Sequence, residues 1–118
     1  MQFKECYQNP FIEERADPYI TLGPDGYYYF TASYPMKSAD DKDGYDRVIL
    51  RRAKDISELA SAEEITIWKV ADTTLTHRFI WAPELHYIAG RWYVFYAGSE
   101  DKENNWAFDC HVLVCDSN

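Results

Sequence analysis

Apolar and polar positions along this chain alternate mostly with a period of two, the spacing of half-buried strands. Tyr19-Ile20-Thr21-Leu22 reads as a short strand. Gly23-Pro24-Asp25-Gly26 carries the residues a tight turn favours, and Tyr27 to Ser33 is an aromatic strand returning antiparallel. Met36 to Gly44 has no periodicity and holds Lys37, Asp40, Asp41, Lys42 and Asp43, so it is predicted as an exposed loop. Arg47 to Arg52 is a third strand whose charged ends predict an outer position, wetted on one side. Asp55 to Glu64 has room for a turn of helix only. Ile65 to Val70 alternates and is a fourth strand. The order then begins again. Ala82 to Ile88 is a strand, Ala89-Gly90 a turn, Trp92 to Ala97 an aromatic strand, Glu100 to Asn105 a polar loop and Trp106 to Val114 another strand.

This is an internal repeat. Pro18 and Pro83 each lead into the first strand of a unit, 65 residues apart (83 − 18), and Gly26 and Gly90 turn it, 64 apart (90 − 26). Repeated units of four antiparallel strands are the mark of an all-β propeller. A hairpin-rich sandwich is the competing architecture, and the near-equal offsets favour the propeller. The first unit shows four strands and the second three, so about two blades are present: blade 1 at about 15–70 and an incomplete blade 2 at about 79–115. A ring takes about four or more. The 118 residues therefore read as the N-terminal part of a longer domain, with its C-terminal blades as the missing partner.

Composition narrows the function. Lys plus Arg is 12 against 20 Asp plus Glu, a net charge of −8, which argues against nucleic acid or an anionic membrane surface. No apolar run approaches the roughly 20 residues of a bilayer-spanning helix. Aromatic residues reach 17%, and aromatics both favour strands and line sugar and peptide sites. Cys6, Cys110 and Cys115 are an odd count and no disulfide framework. With no secretory leader in Met1 to Tyr7, they read as reduced, buried thiols of a cytoplasmic protein.

The mouths of the two first strands carry the candidate chemistry. One reads Arg15-Ala16-Asp17-Pro18-Tyr19-Ile20, the other Ile80-Trp81-Ala82-Pro83-Glu84-Leu85-His86. Each places a carboxylate beside a proline, whose fixed φ also restricts its neighbour. Two carboxylates facing one cavity are what glycoside hydrolysis uses, one activating water and one donating a proton. By spacing alone Asp17 fits a turn-forming Asp-Pro better than a catalytic acid, and Glu84 fits an ion pair to a base such as Arg78 better.

Asn9-Pro10-Phe11-Ile12, Arg15 to Ile20, Asp25 to Phe30, Trp81 to His86 and Gly90 to Tyr96, in that order and spacing, resemble the opening of glycoside hydrolase family 43. Its members include β-xylosidases, α-L-arabinofuranosidases and arabinanases. The resemblance implies a five-bladed propeller and inverting hydrolysis of O-glycosidic bonds in xylose- or arabinose-containing plant glycans. It implies Asp17 as general base. It also implies an Asp that tunes the acid and a Glu that is the general acid, neither of which has a matching segment here. Glu84 is not a substitute for that acid. Trp81 becomes a candidate sugar-contacting aromatic and Glu84 a pocket acid. The alternative is a non-catalytic carbohydrate-binding or interaction piece of a propeller. No cofactor is called for, and the resemblance leaves room only for a structural calcium in the channel of a complete domain.

Other residues take plainer readings. Tyr27, Tyr28 and Tyr29 are expected to pack between blades. His77, His86 and His111 are scattered, and Cys110 and His111 point to opposite strand faces, so no zinc site is expected. Arg47, Arg51 and Arg52 read as a solvated strand edge, and Asp40 to Asp43 lacks the spacing of a calcium loop.

Overall fold

The computed structural model describes residues 1–38, 44–70, 78–100, 103–104 and 106–116, apart from the side chain of Arg78. The Asp40 to Asp43 stretch and His77 lie outside these residues. Among the described residues, seven strands form two antiparallel sheets. The first holds β1 (Ala16–Leu22), β2 (Tyr28–Ser33), β3 (Arg47–Ala53) and β4 (Ile65–Lys69) in chain order, and the second β5 (Arg78–Ile88), β6 (Arg91–Ser99) and β7 (Phe108–Val114). The alternation that predicts each strand therefore also predicts its neighbours. β5 is longer than its apolar pattern indicates, because it runs back through Phe79 to Arg78.

β2 is buried on both faces at Phe30, Thr31, Ala32 and Ser33. One face packs with Ile49, Ala53 and Leu59 into a core covered by Phe11, Ile12 and Ile56. A second core lies between the sheets, where Val48 of β3 meets Ile80, Leu85, Val94 and Tyr96. This junction makes the two repeats one body. Leu59 reaches its core from a single 3-10 turn, Ile56–Ala60. Asp55 caps that turn by accepting from the Ser57 amide at 2.8 Å, while Glu58 returns to the Asp55 amide at 3.3 Å.

Four expectations change. β3 is not an outer strand: Val48 and Ile49 are fully buried between β2 and β4. Nor are its arginines a solvated edge, because the Arg47 guanidinium lies 4.3 Å over the Tyr34 ring and Arg51 donates to Glu64 and to the Leu59 and Ala60 carbonyls. Only Arg52 is exposed, over Tyr27. Of the three tyrosines, Tyr29 alone packs between the sheets, 4.9 Å from Trp92. Tyr28 faces the first core and Tyr27 lies beneath Arg52 and Lys54. The three cysteines are exposed rather than buried.

The β5–β6 hairpin turns through Ala89 (φ 50°) and Gly90 (φ 83°), with Ile88 opposite Arg91. Positive φ at both central residues is the turn whose twist suits a hairpin, and Asn is favoured over Ala at the first position. Ala89→Asn is expected to stabilise the fold by about 0.5–1 kcal/mol, read as a small rise in melting temperature with an unchanged circular dichroism spectrum.

Candidate active site

The strand mouths are shaped by a shared irregularity. Ala16 lies opposite Ser33 and Tyr19 opposite Thr31, so β1 carries one residue more than β2 across this step. Trp81 lies opposite Ala97 and Glu84 opposite Phe95, an identical bulge in β5. The residue before each proline takes the left-handed conformation, Asp17 at φ 50° and Ala82 at φ 47°. Proline suits a bulge because it has no N–H to give the ladder. The repeat thus aligns Asp17 with Ala82, and Glu84 with Tyr19. The two carboxylates beside the prolines therefore stand at non-equivalent positions of the repeat.

Asp17 is exposed, and its Oδ2 accepts the Ser33 hydroxyl at 2.8 Å. Ser33 itself is fully buried, and its Oγ accepts the Ala82 backbone N–H at 2.8 Å. Asp17 Oδ1 has no hydrogen bond among the described residues. One carboxylate oxygen is held and the other is open to solvent, a geometry suited to taking a proton from water. The chain just before Asp17 is also anchored. Glu64 accepts from both Arg15 and Arg51, and the Arg15 guanidinium lies 4.2 Å over the Tyr34 ring. Burial opposes the charge on Glu64, but hydrogen bonds from the two arginines outweigh it and hold the carboxyl below its usual range. Burial likewise opposes the charge on Arg15, and its partners Glu64 and Tyr34 outweigh it, raising that pKa.

Trp81 sits in a cluster of rings at this same end of the sheets. Phe108 stacks on it at 4.4 Å and 25°, with Phe79 at 5.6 Å, Tyr45 at 5.7 Å and Trp106 at 6.0 Å. Its indole Nε1 is buried without a hydrogen-bond partner among the described residues. Trp106 is 75% exposed. Glu84 points elsewhere: its carboxylate meets His86 Nε2 at 3.0 Å, and His86 Nδ1 lies 3.4 Å from the Tyr19 hydroxyl of β1. Glu84 lines an open cleft of about 450 Å³ with Phe95, Phe108 and Cys110. A more apolar cavity of about 370 Å³ between the sheets is lined by Tyr29, Trp68, Leu85 and Trp92 and does not include Asp17. No group of three or more His, Cys, Asp or Glu among the described residues is placed to hold a metal ion.

Sequence reasoning finds Asp17 and Trp81 at one end of the structure and misses Ser33, which meets Asp17 only because the bulge turns that side chain over β2. It also misses Tyr45, Phe79, Trp106 and Phe108 around Trp81. Phe79 and Trp106 flank segments without periodicity, and nothing in the local pattern brings them together.

Two successive antiparallel sheets, with an acid at the mouth of the first strand of one and rings at that of the other, have the architecture of neighbouring β-propeller blades. Residues 7–118 match the model of glycosyl hydrolases family 43, and the chain belongs to that family. It is 44% identical over 107 residues to an extracellular exo-α-(1→5)-L-arabinofuranosidase of Streptomyces avermitilis, covering 91% of this chain and 20% of that protein. A counterpart from Streptomyces chartreusis, also named extracellular, is 42% identical over 107 residues, covering 91% of this chain and 30% of the relative. The α-L-arabinofuranosidase of Lactobacillus brevis, of known structure, is 40% identical with a TM-score of 0.74, covering 94% of this chain and 34% of that one. The fold is that of the family's five-bladed propellers, of which two sheets are described here. The chain spans between a fifth and a third of the lengths of these relatives. Their extracellular naming overturns the cytoplasmic expectation. That expectation leaned on unbridged cysteines taken as buried, and all three are exposed.

Proposed function

We propose that the complete polypeptide carrying this chain is a secreted, inverting glycosidase that releases α-L-arabinofuranosyl residues from plant glycans. Asp17 is its general base. The observation that carries this reading is the half-held Asp17 carboxylate, with Oδ2 on Ser33 and Oδ1 facing solvent, at the end of the sheets that gathers the rings around Trp81. Oδ1 takes a proton from water as that water attacks the anomeric carbon on the face opposite the leaving group. A general acid protonates the departing oxygen, at about 6.5–9.5 Å from the base. Trp81, half-buried among the surrounding rings, offers substrate the exposed part of its apolar ring. Glu84, held by His86, serves the pocket by orientation and not as the acid.

In this reading residues 15–70 and 79–115 are the first two blades of the domain, and residues 1–118 by themselves do not turn over substrate. No residue in them matches the family's general acid. The preference for arabinose over xylose rests on the names of the relatives at 40–47% identity. The test is hydrolysis of aryl α-L-arabinofuranoside and aryl β-D-xyloside by the complete polypeptide, with the product anomer followed by NMR. Faster release from the arabinofuranoside, with the β-anomer of arabinose forming first, is expected. Initial release of the α-anomer rules out the inverting mechanism, and absence of turnover on either substrate rules out the enzyme.

A further inference from the structure

Ser33 lies where the two bulges meet. A bulge leaves one backbone N–H of its strand out of the ladder. In β5 the N–H of Ala82 finds its acceptor outside its own sheet, in the hydroxyl oxygen of Ser33 at the end of β2. A serine hydroxyl has one proton. With its oxygen accepting from Ala82, that proton points to Asp17 Oδ2, 2.8 Å away. Ser33 is fully buried, so its hydroxyl has no solvent partner of its own and is left with these two. The direction of both bonds is therefore set by the backbone of the neighbouring sheet, which cannot reverse its role as donor.

We infer that Ser33 is a positioning residue for the Asp17 base: it fixes one carboxylate oxygen and couples its orientation to the packing of the second sheet. The chain of atoms Ala82 N–H, Ser33 Oγ–H, Asp17 Oδ2 is continuous from β5 to β1. It presents Asp17 as an acceptor, the form in which a base receives a proton from water. It also leaves Oδ1 as the oxygen that faces solvent. Without the hydroxyl, Asp17 swings about its side-chain torsions and the attacking water loses its fixed partner. Ser33 does not touch substrate and acts only through Asp17.

This inference rests on the proposed role of Asp17, and the experiment separates the two. Ser33→Ala, Asp17→Ala and the double variant are compared in the complete polypeptide on an aryl α-L-arabinofuranoside, with amide hydrogen exchange at Ala82 alongside. Ser33→Ala is expected to lower kcat by about 10²-fold with little change in KM, the scale of a misplaced reacting group. It should also speed exchange of the Ala82 amide. In the Asp17→Ala background the same change should cost kcat nothing further, because its only route to the reaction is gone. Ser33→Thr, which keeps the hydroxyl, should recover most of the rate and keeps the comparison open if the alanine variant folds poorly. Full kcat in folded Ser33→Ala, or an equal further loss in both backgrounds, overturns the inference while leaving Asp17 as base. Full kcat in Asp17→Ala overturns the proposed function itself, and the role of Ser33 with it.

Discussion

Asp17→Ala in the complete polypeptide should lower kcat by about 10²–10⁴-fold, the range a positioned general base contributes. The loss should fall on kcat rather than KM, because the base acts on water in the transition state and adds little to binding of the sugar. Removing the carboxylate also strands the buried Ser33 hydroxyl, so the alanine variant loses some stability as well. Asp17→Asn separates these effects. Its amide oxygen still accepts from Ser33, but the side chain no longer takes a proton from water. It should match the alanine variant in rate and the parent in melting temperature. Azide, a nucleophile that needs no base, should restore part of the rate in Asp17→Ala. Near-parental kcat in both variants would rule out the role, and the measurement needs only initial rates and a thermal melt.

How much of this was legible in the sequence differs from element to element. In the first sheet β1 and β4 announce themselves by alternation and β2 and β3 by aromatic and apolar runs, and Gly26 and Gly90 mark turns that the backbone makes at positive φ. The repeat was legible because two prolines and two glycines recur at nearly one spacing. The same spacing places Asp17 with Ala82 and Tyr19 with Glu84, so the two carboxylates flank their prolines on opposite sides. What the sequence does not show is the identical bulge at each proline, which puts Asp17 and Ala82 in the left-handed conformation. The same bulge explains why Ser33 was missed: it is an ordinary small polar residue at a strand end until β1 folds its acid back over it. Arg51 and Arg47 were misread because charge suggests solvent. Their partners Glu64 and Tyr34 come from segments 13 residues away in either direction, beyond the reach of local pattern (64 − 51 and 47 − 34).

The ion cluster at Glu64 should govern acid stability. Glu64 ties Arg15, two residues ahead of Asp17, to Arg51 in the middle of the first sheet. All three side chains are between 13% and 17% exposed, so the pairs are neither free surface contacts nor fully dry. Removing one partner of a buried pair costs about 3–5 kcal/mol, while exposed pairs contribute about 0–1 kcal/mol. With partial solvent screening, Glu64→Ala is expected to cost about 2–3 kcal/mol, since it leaves two half-buried arginines facing each other. The pH dependence follows from the depressed pKa of Glu64 in the folded chain, relative to 4.5 for the free side chain. Its contribution is complete above that value and is lost as pH falls through the lower folded value, because the folded state must then accept a proton it resists. Chemical denaturation of the parent and of Glu64→Ala should therefore differ most at neutral pH, draw together as pH falls below 4.5, and converge once it is below the folded value. Glu64→Gln keeps a hydrogen-bond acceptor but not the charge, so it should lie between them at neutral pH. A stability gap that stays constant down to pH 3 would assign the cluster to packing of the arginine stems and not to its charge.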